Sequence, residues 1–401
     1  MGPSAPQRWL HHDQGGPASG ALSVAKHDPY VGGLDGVDCT VTNNKDECPE
    51  LDRQYQDHIL PHVSRTFALT IPQLPADLRD VVANGYLLCR IADTIEDEVS
   101  LPPHQRQYFH DRFARAVAGD GSPEGFVQEL TPQLSEDTPP SERDLVLNTP
   151  SVVRMTHRFN ASQRAALERC VGIMSEGMAR FQRHGRREGL RDVDVLGQYC
   201  YHVAGVVGEM LTDLFCIHSP LIAEHRERLR DLSVSFGQGL QMTNILKDMW
   251  DDQQRGACWL PQDVFHGAGV DLAHLGSVPP REPGFNQALD RLIGMGHMHL
   301  REALEYTLLI PAHEVGIRRF CLWAIGLALL TLRNIHHNPE FTSGAEVKVS
   351  RRALRATIIT TNVATRHDAL LRWLFHVWGR DLPAVPGSSG LPPRAAAGAP
   401  R

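Results

Sequence analysis

The sequence predicts an all-α protein, a single-domain helical bundle around a central apolar cavity, and three observations carry that expectation. Apolar residues recur at helical spacing through most of the chain, period-two alternation is scarce, and Pro- and Gly-rich breakers separate the periodic segments. At 401 residues, 42% of them hydrophobic and 22% charged, the chain is long enough to bury a large core. Residues 1–50 mix Gly, Pro, Ser, Asn and Asp with little periodicity and read as a disordered extension. The domain is expected over 51–381. Val81, Val82, Tyr86, Leu87 and Ile91 mark one helix beginning near Asp77. Leu167, Val171, Met174, Met178 and Phe181 mark a second, and Leu240, Ile245 and Met249 a third beginning near Arg230. The run Cys321–Leu332 stops at Arg333 and reads as a buried core helix too short to span a bilayer. Breakers fall at Pro72, Pro75, Pro102-Pro103, the SPEG and EDTPPSE stretches, Pro220, Pro261, Pro279-Pro280 and Pro311. Residues 382–401, rich in Pro, Gly and Ala, read as a second disordered tail.

Forty-seven acidic against 40 basic side chains give a formal charge of −7. No excess of Lys and Arg is left to neutralise a phosphate polymer, so nucleic acid is not an expected partner. No apolar stretch reaches the ~18 residues of a membrane span. The N-terminal MGPSAPQRWLHHDQGG lacks a basic segment followed by an apolar run, and a cytoplasmic protein is expected. The eight cysteines show no CxxC spacing, which suggests neither zinc nor a disulfide framework. His11-His12 and His297-Met298-His299 lack the i, i+4 spacing and acidic partner of helical zinc ligands and read as surface or packing residues.

One short acidic pattern recurs. Asp93, Glu96 and Asp97 share a face of the first helix, and Asn244, Asp248 and Asp252, each four apart, share a face of the third. Like charges at i, i+4 destabilise a helix by about 0.2–0.5 kcal/mol each, so something should compensate. For one such stripe alone, a solvated acidic surface is the ordinary explanation. Here both stripes lie in apolar surroundings, GYLLCRIADTIEDE and FGQGLQMTNILKDMWDD, and buried carboxylates need partners. Mg²⁺ binds one or two carboxylates together with substrate phosphate oxygens. Arg90, Lys247 and Arg255 stand next to the stripes and suit the remaining charge of a diphosphate, although plain ion pairs would use the same residue types. Two such helices facing each other would make a magnesium-diphosphate site above a hydrocarbon pocket, fit to ionise a prenyl diphosphate. GxSxG and Walker motifs are absent, and the fragments Gly237-Gln238-Gly239 and Gly294-Met295-Gly296 read as helix-packing glycines.

Four blocks together resemble the squalene/phytoene synthases, a family of head-to-head prenyltransferases. They are Ser64-Arg65-Thr66-Phe67, the YLLCR segment 86–90 leading into DTIED, the YCYHVAGVVG segment 199–208, and the QMTNILKD segment 241–248. The likeness runs over about residues 55–375. The run RFCLWAIGLALLTL followed by AEVKVSRR is similar to squalene synthases rather than phytoene synthases, and the chain looks most like a bacterial-type farnesyl-diphosphate farnesyltransferase. The resemblance implies an isoprenoid-synthase-like bundle that condenses two farnesyl diphosphates to presqualene diphosphate and reduces that intermediate with NADPH. It implies Asp93, Glu96, Asp97, Asn244, Asp248 and Asp252 as Mg²⁺ ligands. Ser64, Arg65, Arg90, Gln241, Lys247 and Arg255 would hold diphosphate, and Tyr199, Arg90, Phe320 and His202 would serve catalysis. Arg65, Arg90, Lys247, Lys348 and Arg351 would face the cofactor.

Several positions depart from the family pattern. His202 stands where animal-type relatives have tyrosine before VAG, and imidazole could take over a proton-transfer role. Lys247 replaces an arginine, keeping charge but losing bidentate geometry. Ala257 and Ser350 stand where relatives carry basic residues. The membrane anchor of eukaryotic relatives is not found, so the expectation is a monomer that touches a membrane peripherally, if at all, to release product. Two alternatives stay open from the sequence: a synthase releasing presqualene diphosphate, dehydrosqualene or phytoene without reduction, and a non-catalytic lipid-binding helical protein.

Overall fold

A computed structural model describes residues 49–64, 66–181, 188–277 and 282–384. Most of the two stretches expected to be disordered, 1–50 and 382–401, lies outside the described residues, as does Arg65. The principal helices, in order, are α1 (Pro49–Val63), α2 (Ala76–Asp97), α3 (Pro103–Ala118), α4 (Pro123–Leu130), α5 (Pro140–Leu147), α6 (Thr149–Arg158) and α7 (Ala161–Phe181). Then follow α8 (Val193–His218), α9 (Arg226–Gln254), α10 (Pro283–Leu309), α11 (Val315–His337), α12 (Arg351–Ala364) and α13 (Asp368–Gly379). Among the described residues there is no strand, only an isolated bridge between Leu190 and Pro261.

Local chemistry sets the helix ends. Pro occupies the first turn of α3, α4, α5 and α10, where its missing N–H costs nothing. Ser122, Asp192 and Ser350 cap α4, α8 and α12 by accepting from the backbone N–H three residues on. The end of α3 falls to Gly119, whose φ of 86° a side chain would resist.

Two helices carry the site. The α9 helix packs along α10 and against α8 and α11, while α2 packs against α1, α5, α6, α7 and the second half of α8. Where α8 crosses α9 the backbones touch. A Cβ on Gly208 would fall 2.1 Å from Ser233 O, and one on Gly237 2.2 Å from Ala204 O. Gly237 therefore acts as a packing glycine at this crossing, and Gly239 does the same against His299 and Leu300 of α10. At this crossing, Tyr201–Gly205 form a π-helical turn that rotates the two halves of α8 out of phase.

Three sequence expectations change. The EDTPPSE stretch is not merely a breaker, because its Pro-Pro-Ser-Glu starts α5. The α9 helix begins a turn earlier than expected, at Arg226. Cys321–Leu332 is the middle of a 23-residue helix, so the expected lack of any span-length apolar segment needs correction: α8 and α11 are both long and apolar enough to cross a membrane by length and composition. Most of each is buried inside the bundle, as a core helix would be. The six described cysteines are buried free thiols.

Candidate active site

The C-terminal half of α2 presents Asp93, Glu96 and Asp97, and α9 presents Asn244, Asp248 and Asp252. Their electrostatics show that the two groups sense each other. Burial holds the Glu96 carboxyl well above its usual range, and Asp97, Asp93 and, from the other helix, Asp252 push it further. Asp252 is raised to about 6, mainly by burial, with Arg255 opposing and Asp248 and Asp97 reinforcing. Asp93 reaches about 7 through burial, with Arg90 pulling down and Asp97 and Glu142 pushing up. Asp97 is the exposed member of its stripe, and its carboxyl is still raised, by desolvation from the surrounding protein, against the pull of Arg255 and Arg90. Asp93 and Asp248 each keep 36% of their side chains accessible.

These carboxylates crowd one another without enough counter-charge. Among the described residues no three His, Cys, Asp or Glu side chains converge into a finished coordination sphere. Oxygen donors divided between two helices suit hard divalent cations that take further ligands from a substrate better than they suit a closed structural metal site.

The nearby cations are already engaged. Arg90 reaches Asp93 at 3.6 Å and also pairs with Glu142 of α5. Despite burial, those two carboxylates hold it firmly protonated. Thr94 donates to the same Glu142, at 3.3 Å. Lys247 Nζ lies 3.0 Å from Asp248. Arg255 pairs with Asp252 and is held charged against burial by Asp252, Asp97 and Asp248. Gln241 is half-buried one turn before Asn244 on the same face of α9.

Aromatic rings flank the carboxylates on two sides. Tyr86, which feels Arg90 and Asp93, donates to Val63 O and lies 5.2 Å from Phe67. Phe67 lies 6.3 Å from the buried Phe320, which has Phe215 at 6.2 Å. Ser64, at the foot of this cluster, accepts from Phe67 N at 2.9 Å. On the other side Tyr199 stacks flat on Trp259, with centroids 4.1 Å apart and planes 4° apart, while Phe181 meets it edge-on. Burial, then Glu96, holds the Tyr199 phenol well above its usual range.

The structure does not bring His202 to this group. Its Nδ1 bonds Gln198 O at 2.8 Å, its ring lies against Phe181 and so close to Gly177 that a Cβ there would fall 2.2 Å away, and its charged neighbours are Arg180 and Glu176. One residue earlier, Tyr201 turns toward Glu209. Two residues apart on a helix, Tyr199 and Tyr201 point to opposite faces, so only the first tyrosine of the block joins the carboxylates.

Lys348 and Arg351 are exposed, with no ion pair among the described residues. Ser350 caps α12, so the hydroxyl that stands in place of a basic residue holds the helix start. The loop before it touches α9: Gly344 N donates to Asp251 at 3.3 Å, and a Cβ on Gly344 would lie 2.7 Å from Asp248 Oδ1. Sequence reasoning missed Glu142, Trp259 and Gly344. The Pro-Pro-Ser-Glu helix start could have located Glu142 on a helix, but nothing in the sequence marks the stacking of Trp259 or the close approach of Gly344.

The family model described as squalene/phytoene synthase matches residues 60–353. Squalene synthase BSS of Botryococcus braunii is 29% identical over 324 residues, covering 78% of this chain. A squalene synthase of Candida albicans is 27% identical over 314 residues, covering 75%. The chain spans 65% of the length of each of these relatives. Among solved structures, a ligand complex of TcSQS superposes with a TM-score of 0.61 at 22% identity, over 84% of this chain and 98% of that one. A dehydrosqualene synthase superposes with a TM-score of 0.57 at 20% identity, over 81% and 97%. At those identities the likeness establishes the fold.

Proposed function

Because the chain belongs to the squalene/phytoene synthase family, a family of prenyltransferases, we propose that it is a Mg²⁺-dependent squalene synthase. It would join two farnesyl diphosphates head to head through presqualene diphosphate and reduce that intermediate with NADPH. The observation that carries the reading is the mutual electrostatic coupling of poorly solvated carboxylates on α2 and α9.

Mg²⁺ held by Asp93, Glu96, Asp97, Asn244, Asp248 and Asp252 would draw charge from the leaving diphosphates. Arg90, Lys247 and Arg255 exchange their carboxylate partners for phosphate oxygens as substrate enters, with Ser64 and Gln241 beside them and Arg65 completing the set. Tyr199, kept protonated by burial and by three neighbouring carboxylates, donates a hydrogen bond to departing diphosphate oxygen rather than acting as a base. The first allylic cation is attacked by the alkene of the second farnesyl chain, and loss of a proton closes the cyclopropane. Rings of Phe67, Tyr86 and Phe320 offer faces to the cation, and the apolar surroundings keep water from quenching it.

NADPH held by Lys348 and Arg351, with Arg65, Arg90 and Lys247 toward the reacting end, would supply the hydride that ends the second half-reaction. One observation favours a second reading. Ser350 stands in place of a basic residue and caps α12, so the cofactor end has one cation fewer, and a synthase without reduction would release dehydrosqualene, phytoene or presqualene diphosphate. Incubation with farnesyl diphosphate and Mg²⁺ separates the two. Presqualene diphosphate should accumulate without NADPH, and squalene should replace it when NADPH is added. Mass spectrometry showing one product under both conditions would reject the reductive reading.

A further inference from the structure

Beyond Arg351, the last two helices present a face to which the proposed chemistry assigns no residue. Each buries one side: Thr357, Thr361 and Ala364 of α12, and Leu371, Leu374 and Phe375 of α13. Both pack on α11 and on each other. Their outer sides are apolar where solvent would favour polar groups. Val363 is 70% exposed, Ile359 65% and Trp373 57%, three of the four most exposed large apolar side chains among the described residues.

The charge on this segment is equally one-sided. Residues 348–380 hold seven Lys or Arg against one Asp, in a chain whose formal charge is −7. That Asp368 is taken by the buried Arg318 at 2.7 Å, and Arg372 is taken by Glu305. Arg355 lies one turn before Ile359 on the same stripe of α12, and Arg366 follows at the corner between the helices. Both are exposed and have no ion pair among the described residues.

We propose that the outer face of α12 and α13, with Ile359, Val363 and Trp373 inserted and Arg355 and Arg366 above them, docks on the surface of an anionic lipid bilayer. An indole beside aliphatic side chains suits the boundary between headgroups and acyl chains, and guanidiniums just outside that boundary meet lipid phosphates. A second copy of the chain would bring like-charged guanidiniums together on an isologous contact, which disfavours it as the occupant. The four interior hydrogen bonds of Arg318, to Ile310 O, Leu308 O, Thr365 O and Asp368, tie the corner between the helices to the bundle. The face is thereby presented as a firm platform.

The test is sedimentation of the full chain with vesicles of phosphatidylcholine alone, or of phosphatidylcholine with phosphatidylglycerol. The protein should partition onto the phosphatidylglycerol vesicles, weakly onto phosphatidylcholine, and less as salt rises. Each near-surface arginine contributes roughly fivefold to such partitioning. Replacing Arg355 and Arg366 together by Gln should therefore weaken binding about thirtyfold, and Trp373→Ser should weaken it on both vesicle types. Brominated phosphatidylglycerol should quench tryptophan fluorescence in the native chain and much less in Trp373→Phe. Turnover in detergent should be unchanged in all of these variants, since none touches the carboxylate site. Equal binding to both vesicle types, or native binding by Trp373→Ser, would overturn the proposal. So would light scattering that shows a dimer which Trp373→Ser dissociates, because the face would then belong to a second copy.

Discussion

Replacing Gly344 by alanine adds one methyl group at the point where the loop before α12 meets α9. That methyl would stand 2.7 Å from Asp248 Oδ1, 3.1 Å from Lys247 O and 3.3 Å from Asp251 Oδ2. The first contact is about 0.7 Å inside ordinary van der Waals distance. Lys247 O is backbone and cannot swing away, so the Asp248 carboxylate must give. Overpacking of this kind costs about 1–3 kcal/mol, and a movable carboxylate keeps it near the low end. A loss of about 1 kcal/mol lowers Tm by only about 2–4 °C. The functional cost should be larger, because metal-ligand distances tolerate only ~0.2 Å and a displacement of about 1 Å can cost ~10²-fold in rate. Gly344→Ala should therefore lower kcat/KM about 10- to 100-fold at fixed Mg²⁺ and shift the Mg²⁺ titration upward, while circular dichroism stays native. Gly296→Ala is the control, since its methyl meets the flexible end of Leu332 at 3.3 Å and Met242 Cβ at an ordinary 3.9 Å, and it should leave Mg²⁺ dependence unchanged. A Mg²⁺ titration of Gly344→Ala that superimposes on the parent would refute the placement of Asp248 in the metal site.

Other outcomes follow from the same geometry. His110, fully buried, is pushed down to about 3 by burial and Arg106, whereas in the unfolded chain it takes a proton near the ordinary histidine value of 6.5. The folded state thus binds fewer protons, and stability is lost as pH falls from 6.5 toward 3. His110→Leu should flatten the urea-midpoint profile by about 2 kcal/mol between pH 7.5 and 5, and an unchanged slope would count against a neutral buried imidazole. Arg318→Leu should cost about 3 kcal/mol in urea unfolding by leaving buried carbonyls without a donor, and a loss under 1 kcal/mol would contradict that. Trp259→Leu should slow presqualene diphosphate formation through Tyr199, and combining it with Tyr199→Phe should add little; full additivity would separate the two rings.

The sequence made the acidic stripes legible because i, i+4 spacing alone puts Asp93 with Asp97, and Asn244 with Asp248 and Asp252, on one helix face. That α2 faces α9 was only an expectation, and the cross-helix influence of Asp252 on Glu96 now supplies its physical content. Partners distant in sequence were not legible. Glu142 meets Arg90 across 52 residues, and Trp259 meets Tyr199 across a chain reversal, contacts that periodicity cannot encode. His202, three residues after Tyr199, shares the Phe181 ring with it, yet its charged neighbours are Arg180 and Glu176 rather than the stripes, and spacing along the helix does not encode that. The length of α11 was underestimated because the apolar run stops at Arg333 in sequence, whereas the helix continues through it to His337 and starts at Val315, where Arg318 lies 2% exposed inside the fold with its donors satisfied.

The central claim is that the two stripes act as one magnesium-diphosphate site. A cycle of Asp93→Asn, Asp248→Asn and the double variant, read as presqualene diphosphate formed in a single turnover with saturating Mg²⁺, tests it most directly. Groups that act as a unit are non-additive. Each single change should remove nearly all turnover and the double variant should be scarcely worse, with EDTA reproducing the loss in the parent and Mg²⁺ reversing it. Ordinary activity in Asp248→Asn, or losses that simply multiply in the double variant, would contradict the account.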